Sequence, residues 1–265
     1  MADLTKPPTT TALYSWAMFP VYAWQGVRLR MRIERLLPAP VPTMGALEGN
    51  SEPVRLLVLG DSTVASVGME RLEDTLAYNI AKAINERAGW PVQWRAAGGN
   101  SATASDIRDH ILPHIEERDW THVALSVGIN DMKNFHVVRR FKRDFGSLLY
   151  ALRTRFPRAR IIWCPIPDMR QCPALPTALG RILAARAELI NAMGARMCRE
   201  RGAIVTEPVP PQTGDAFARD GFHPNGNGYR IWGRHFAQWI APPEGLSDPL
   251  PDATMPHVTP LRRAG

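Results

Sequence analysis

Four short stretches of the sequence carry the residue types that acyl transfer requires. In VLGDSTVASVG, residues 58–68, a run of strand-forming residues stops at Gly60-Asp61-Ser62 and gives way to small polar ones. A serine hydroxyl becomes a nucleophile when an imidazole takes its proton and a carboxylate holds that imidazole in the right tautomer. ARDGFHPNGNGYRIWG offers both groups, Asp220 and His223, three residues apart on a Gly/Pro-bounded turn. SVGINDMKN places Asn130 just past another strand-like run. An asparagine amide aimed into a site is an oxyanion donor worth roughly 10² to 10³ in rate. The fourth stretch, AGGNSATASD, is a glycine-containing loop able to turn backbone N–H groups inward. Singly, each is also an ordinary turn, because glycine permits positive φ and aspartate and serine cap their own backbone.

The turns need a frame that brings them together. Apolar runs rich in β-branched and aromatic residues lie at 54–59, 92–97, 122–127, 160–164 and 203–207, each reading as a buried strand. Helical stripes separate them, and a helix is expected to start near Glu70, after Ser62. Over 136–156, Val137, Val138, Phe141, Phe145, Leu148, Leu149, Leu152 and Phe156 recur at spacings of three and four. Over 179–198, Ile182, Leu183, Ile190, Met193 and Met197 repeat the pattern. Strands alternating with such helices predict right-handed βαβ crossovers and a mainly five-stranded parallel sheet between helical layers. Ligands of such α/β sheets bind beyond the carboxyl ends of the strands, where all four turns fall.

Composition sets the outer bounds. The 265 residues suffice for one α/β domain with appendages. Hydrophobic residues at 45% and charged ones at 22% exclude a disordered or fibrous chain. A net charge of +7 favours anionic surfaces such as phospholipid head groups or nucleic acid, although a solvated basic face explains it somewhat better than a specific anionic partner. Cys164, Cys172 and Cys198 have neither the number nor the spacing of a disulfide framework or a zinc site, and a reducing, cytoplasmic compartment fits them. His110 and His114 have the spacing of a helical metal pair. Pro113 between them argues instead for a helix end with surface or capping histidines.

The first 53 residues are of a different kind. No charge occurs from residue 7 to 27, where Trp16, Phe19, Tyr22 and Trp24 gather, and Arg28, Arg30, Arg32 and Arg35 follow. A secretory signal would show a cleaner aliphatic core and a small-residue cleavage site. Pro20, the threonines and Gln25 interrupt the roughly 20 apolar residues that a bilayer crossing needs. Aromatics followed by arginines suit an interfacial segment, so residues 12–35 are read as a peripheral membrane contact on the inner face, with a strap across the chain's own domain left open. Residues 38–53 read as a linker. That leaves 54–241 as the domain and 242–265 as a flexible tail.

The succession GDS, GGNSAT, GIND and DGFHP resembles the SGNH or GDSL hydrolase superfamily of esterases and lipases, from about residue 54 to 240. The resemblance implies a flavodoxin-like three-layer α/β/α sandwich with no cofactor and no metal. It makes Ser62 the nucleophile, His223 the general base and then acid, and Asp220 the residue that orients His223. Its oxyanion hole would comprise the backbone N–H groups of Ser62 and Ser101 and the side-chain amide of Asn130. The superfamily usually has glycine where Ser101 stands. A backbone N–H survives the change, but a positive φ there would cost serine on the order of 1 kcal/mol, with Gly98 or Gly99 as alternative donors. Asp61 and Asp131 are expected to brace loops. PDMRQCPALP, residues 167–176, offers Met169 and Leu175 as walls of an acyl pocket, or else is a plain connection.

The expected activity is therefore serine ester hydrolysis on small or lipid-like esters, lysophospholipids among them. Carbohydrate O-deacetylation by the same chemistry is one alternative. A non-catalytic anion-binding protein that keeps the fold is another, though with no nucleic-acid motif in the chain a nucleic-acid partner is not expected.

Overall fold

The five apolar runs become five parallel strands, and a sixth joins them from the stretch that reads as a linker. A computed structural model describes residues 9–38 and 40–242. The strands are β1 (Met44–Leu47), β2 (Val54–Gly60), β3 (Val92–Gly98), β4 (His122–Ser126), β5 (Arg160–Trp163) and β6 (Ile204–Val205). They lie in the order β1-β3-β2-β4-β5-β6, with β1 antiparallel to β3 and every other pair parallel. β1 escapes a pattern search because it is a four-residue edge strand with almost no buried side chain. Backbone pairing holds it, and Gly45 lets it lie against Trp94, where a Cβ would come within 2.7 Å of the indole ring.

The helices are α1 (Thr9–Ala17), α2 (Phe19–Arg32), α3 (Leu76–Ala88), α4 (Ile129–Lys133), α5 (Val138–Arg155), α6 (Thr177–Glu200) and α7 (Gly226–Ala237). Strand β2 shows why three layers form. Every residue of it but Arg55 is buried, so it is apolar on both faces, as a sheet covered on both sides requires. Val54, Leu56 and Val58 pack with Leu76 and Ile80 of α3 and Tyr229 and Phe236 of α7. Leu57 and Leu59 face the other way, toward Phe141, Phe145 and Leu149 of α5 and Leu183 and Ile190 of α6. Each such fully buried side chain contributes roughly 1.5–3 kcal/mol against exposure.

One expectation shifts locally. The helix after Ser62 begins at Leu76 rather than near Glu70, because Thr75 is the capping residue and its hydroxyl accepts the Tyr78 N–H. His110 lies in a π-helical turn, Ile107–Ile111, and His114 in a 3₁₀ turn, Leu112–His114, so the pair does not share one regular helix. The amino-terminal segment does strap across the domain. Ser15 is fully buried, and the rings of Trp16, Phe19 and Tyr22 lie 4.7–5.1 Å from that of Phe135. Farther on, Leu36 is buried against Gly68, and Glu34 Oε1 pairs with Arg219 Nε at 2.9 Å. No helix among the described residues is long and apolar enough to cross a membrane. Residues 243–265, nearly all of the expected tail, lie outside the described residues.

Candidate active site

Ser62 owes its position to the residues on either side of it. Gly60 ends β2 where a Cβ would sit 2.2 Å from the Ser126 carbonyl oxygen, so a close approach of β4 selects the glycine rather than a positive φ. The Asp61 N–H donates to that same carbonyl at 3.1 Å. Asp61 Oδ1 accepts from the Thr63 N–H and the Thr63 hydroxyl, both at 3.0 Å, and Thr63 Oγ1 lies 2.9 Å from Ser126 Oγ. Asp61 thus braces the turn, as expected. Burial pushes its carboxyl up to about 6, against the Thr63 hydrogen bonds and the nearby His223 and Lys133, which pull it down.

The base comes from a second local turn. Gly221 at φ 65° lets the chain fold back, so that Asp220 Oδ1 accepts from the N–H groups of Phe222 at 2.9 Å and His223 at 3.0 Å. Asp220 Oδ2 then lies 2.6 Å from His223 Nδ1, and His223 Nε2 lies 3.1 Å from Ser62 Oγ. Burial alone would raise the Asp220 pKa. The hydrogen bonds from the His223 ring and the two N–H groups outweigh burial and hold the carboxyl below its usual range. Asn225 locks the turn from behind, donating to the Phe217 carbonyl at 2.9 Å and capping α7 through Oδ1. The arrangement can move a proton from Ser62 Oγ to Nε2 while an ionised carboxylate stabilises the imidazolium.

The loop after β3 meets the site through α4. The Ala102 N–H donates to the Gly99 carbonyl at 3.1 Å, and Ser101 sits at φ 62°, the left-handed conformation that a type II turn demands of its third residue. Serine therefore occupies a position that favours glycine. Asn130 is buried at the start of α4, and its Nδ2 donates to the Ala102 carbonyl at 3.0 Å. Asp131 Oδ2 accepts the Ala104 N–H at 3.0 Å, and its Oδ1 lies 3.3 Å from His136 Nδ1, the bracing role expected of it. Among the described residues no protein acceptor takes the N–H of Ser62 or of Ser101.

Beside Ser62 and His223 lies a cavity of about 40 Å³. Its wall includes Met169, as expected, with Pro167, Cys172 and Phe222. Leu175 packs on the core instead. Ser101 and Asn130 are outside this wall. Sequence reasoning missed Pro210, Gln212, Phe217 and Trp232, which reach the cavity from distant loops and α7 and carry no local signal. Gln171 Oε1 accepts the Gln212 N–H at 2.9 Å and ties two of these loops together. Burial pushes the Cys164 and Cys172 thiols up to about 12, which makes them poor nucleophiles. Among the described residues no group of three or more His, Cys, Asp or Glu side chains is arranged to hold a metal ion.

The family model of the GDSL-like lipase/acylhydrolase family matches residues 58–231. No curated protein matches. Among solved structures, LAE5, an alpha/beta hydrolase enzyme from the metagenome of Lake Arreo, superposes with a TM-score of 0.54 at 14% identity, over 70% of this chain and 94% of that one. A lipase/acylhydrolase from Enterococcus faecalis gives 0.52 at 17% identity, over 70% and 94%. An acetyl xylan esterase from Geobacillus stearothermophilus gives 0.51 at 14%, over 72% and 94%. At such identities these likenesses speak for the fold.

Proposed function

Because the chain belongs to the GDSL-like lipase/acylhydrolase family of ester-hydrolysing enzymes, we propose that it cleaves esters of short acyl chains, with Ser62, His223 and Asp220 as its triad. The observation that carries this reading is the continuous hydrogen-bond chain from Ser62 Oγ through His223 to Asp220, with steps of 3.1 and 2.6 Å.

Ser62 Oγ bonds to the ester carbonyl carbon as its proton passes to His223 Nε2. The oxyanion is met by the N–H groups of Ser62 and Ser101 and the amide of Asn130. Collapse breaks the bond to the alcohol oxygen, which takes the proton from Nε2, and water repeats the sequence on the acyl-enzyme. No step calls for a metal or a cofactor. The size of the cavity supports the acyl preference, because about 40 Å³ beside Ser62 suits a group of acetyl size. Carbohydrate O-deacetylation lies within this reading, and Asp168, Gln171 and Gln212 supply polar groups beside the cavity for a hydroxylated alcohol.

A p-nitrophenyl ester series from acetate to long chains, run with native protein and Ser62→Ala, tests the proposal. Native activity should peak at acetate or propionate. Ser62→Ala should lose on the order of 10⁴-fold or more in kcat, together with labelling by a fluorophosphonate probe. Turnover that survives in the variant would sink the triad assignment, and a long-chain optimum would sink the acyl preference.

A further inference from the structure

The amino-terminal helices use only one side against the domain. On α2, Tyr22 and Leu29 pack inward on the core, and the Tyr22 hydroxyl donates to the Lys133 carbonyl at the end of α4. A second apolar stripe, Trp24, Val27 and Met31, recurs at spacings of three and four and is 60–75% exposed. Leu13 of α1 is 73% exposed, and Trp16 and Phe19, whose rings meet at 6.1 Å where the two helices join, are each about half exposed. An outward apolar stripe on a helix whose inner stripe is already satisfied has no role in the monomer's core.

The charge around this stripe is of one sign. From residue 4 to 33 there is no acidic side chain, while Arg28, Arg30, Arg32 and Arg35 stand exposed along the end of α2 and just beyond it. Among the described residues none of these four arginines has a carboxylate partner, and Arg28 lies over the Trp24 ring at 5.6 Å. Aromatic and aliphatic side chains flanked by guanidiniums match an anionic bilayer, where rings lie at head-group depth and guanidiniums reach lipid phosphates.

We propose that the exposed face of α1 and α2, centred on Trp24, Val27 and Met31 and flanked by Arg28, Arg30 and Arg32, docks this protein on an anionic phospholipid bilayer. The same segment reaches the rim of the catalytic region through Glu34 on Arg219, next to Asp220, and through Leu36 on Gly68 in the Ser62 turn. Docking would therefore engage a segment that continues directly to the border of the site. Its consequence for substrate, a short acyl ester presented at that surface, rests on the ester-hydrolase reading; the docking itself does not.

Vesicle flotation of the full chain provides the test, with phosphatidylcholine alone and with phosphatidylglycerol added. The native protein should float with the anionic vesicles, bind neutral ones far less, and be released by salt. Trp24→Ser/Val27→Ser/Met31→Ser should weaken binding by about tenfold or more, and Arg28→Gln/Arg30→Gln/Arg32→Gln by on the order of 100-fold. Both variants should keep native thermal stability and solution turnover of p-nitrophenyl acetate within about twofold, since these side chains are exposed. Ser62→Ala should bind vesicles like the native chain, so that a failed esterase assay leaves this result standing. Native protein that ignores anionic vesicles, or variants that float equally well, would overturn the proposal. So would a dimer in light scattering that the apolar triple variant splits in the absence of vesicle binding, because the face would then join two copies of the chain.

Discussion

The turns after β2 and β3 leave neighbouring strands at the paired residues Gly60 and Gly98, yet they are held in opposite ways. The first is closed on itself. Asp61 is 1% exposed, and its bonds run to Thr63 and to Ser126 at the end of the adjacent strand. The second is open, with Asn100 and Ser101 exposed, and it is anchored from α4 by Asn130 and Asp131. One bond, from the Gly99 N–H to the Gly60 carbonyl at 3.1 Å, joins the two. Ser62, the proposed nucleophile, is thus fixed by its immediate neighbours in sequence, whereas the proposed donors Ser101 and Asn130 depend on a helix some thirty positions from Ser101. Catalysis should tolerate little change at the first turn's geometry and should feel the second through α4.

Asn130→Ala strikes the second turn hardest. It removes a side-chain donor and the tie to the Ala102 carbonyl together. The expected result is a fall of about 10² to 10³ in kcat on p-nitrophenyl acetate with KM little changed, and a loss of about 1 kcal/mol in stability from the missing hydrogen bond. Steady-state kinetics beside urea unfolding would check both. A kcat loss below tenfold would mean that backbone N–H groups hold the oxyanion without α4, and the contrast between the turns would lose its functional meaning.

The same contrast governs what could be read from the sequence. Gly-Asp-Ser and Asp-Gly-Phe-His each fold on themselves within three residues and are singly ordinary turns, and they were legible as a site only through their order with GGNSAT and GIND, which carries the family resemblance. Of the parallel strands, β2, β4 and β5 were legible because burial on both faces forces nearly unbroken apolar runs. β1 was not, since an exposed four-residue edge strand is fixed by backbone pairing and leaves no side-chain pattern. The amino-terminal segment left two readings open for a physical reason. α2 carries two apolar stripes, and sequence could not tell which would meet Phe135. The cavity wall was only partly visible, because Phe217 and Trp232 reach it through tertiary packing.

Asp61→Asn probes the closed turn through its buried charge. The folded-state value of about 6 lies above the ordinary 3.8, so folding favours the protonated acid. That contribution is fully present below about pH 3.8 and is lost as the pH rises through about 6, amounting to roughly 3 kcal/mol. Asparagine keeps an Oδ1 acceptor for the Thr63 N–H and hydroxyl and carries no charge. The variant should therefore be more stable than the native protein above about pH 6. Its stability should also change less between about pH 4 and pH 6, as denaturant unfolding across that range would show. A variant less stable at about pH 7 would mean that the carboxylate charge itself holds the turn, through Lys133.

The smallest effect separates conformation from chemistry at the open turn. Ser101 holds φ 62°, where its Cβ costs on the order of 1 kcal/mol, and among the described residues its exposed side chain bonds only to neighbouring Asn100. Ser101→Gly relieves that strain but frees the unfolded chain, a cost of about 0.5–1 kcal/mol that cancels most of the gain. Stability should thus stay within about 0.5 kcal/mol of native. Because the backbone N–H is unchanged, kcat should hold within about twofold. Unfolding midpoints and acetate-ester kinetics on one preparation would decide. If kcat falls while stability holds, the serine side chain contributes to the reaction, and the open turn supplies more than an amide.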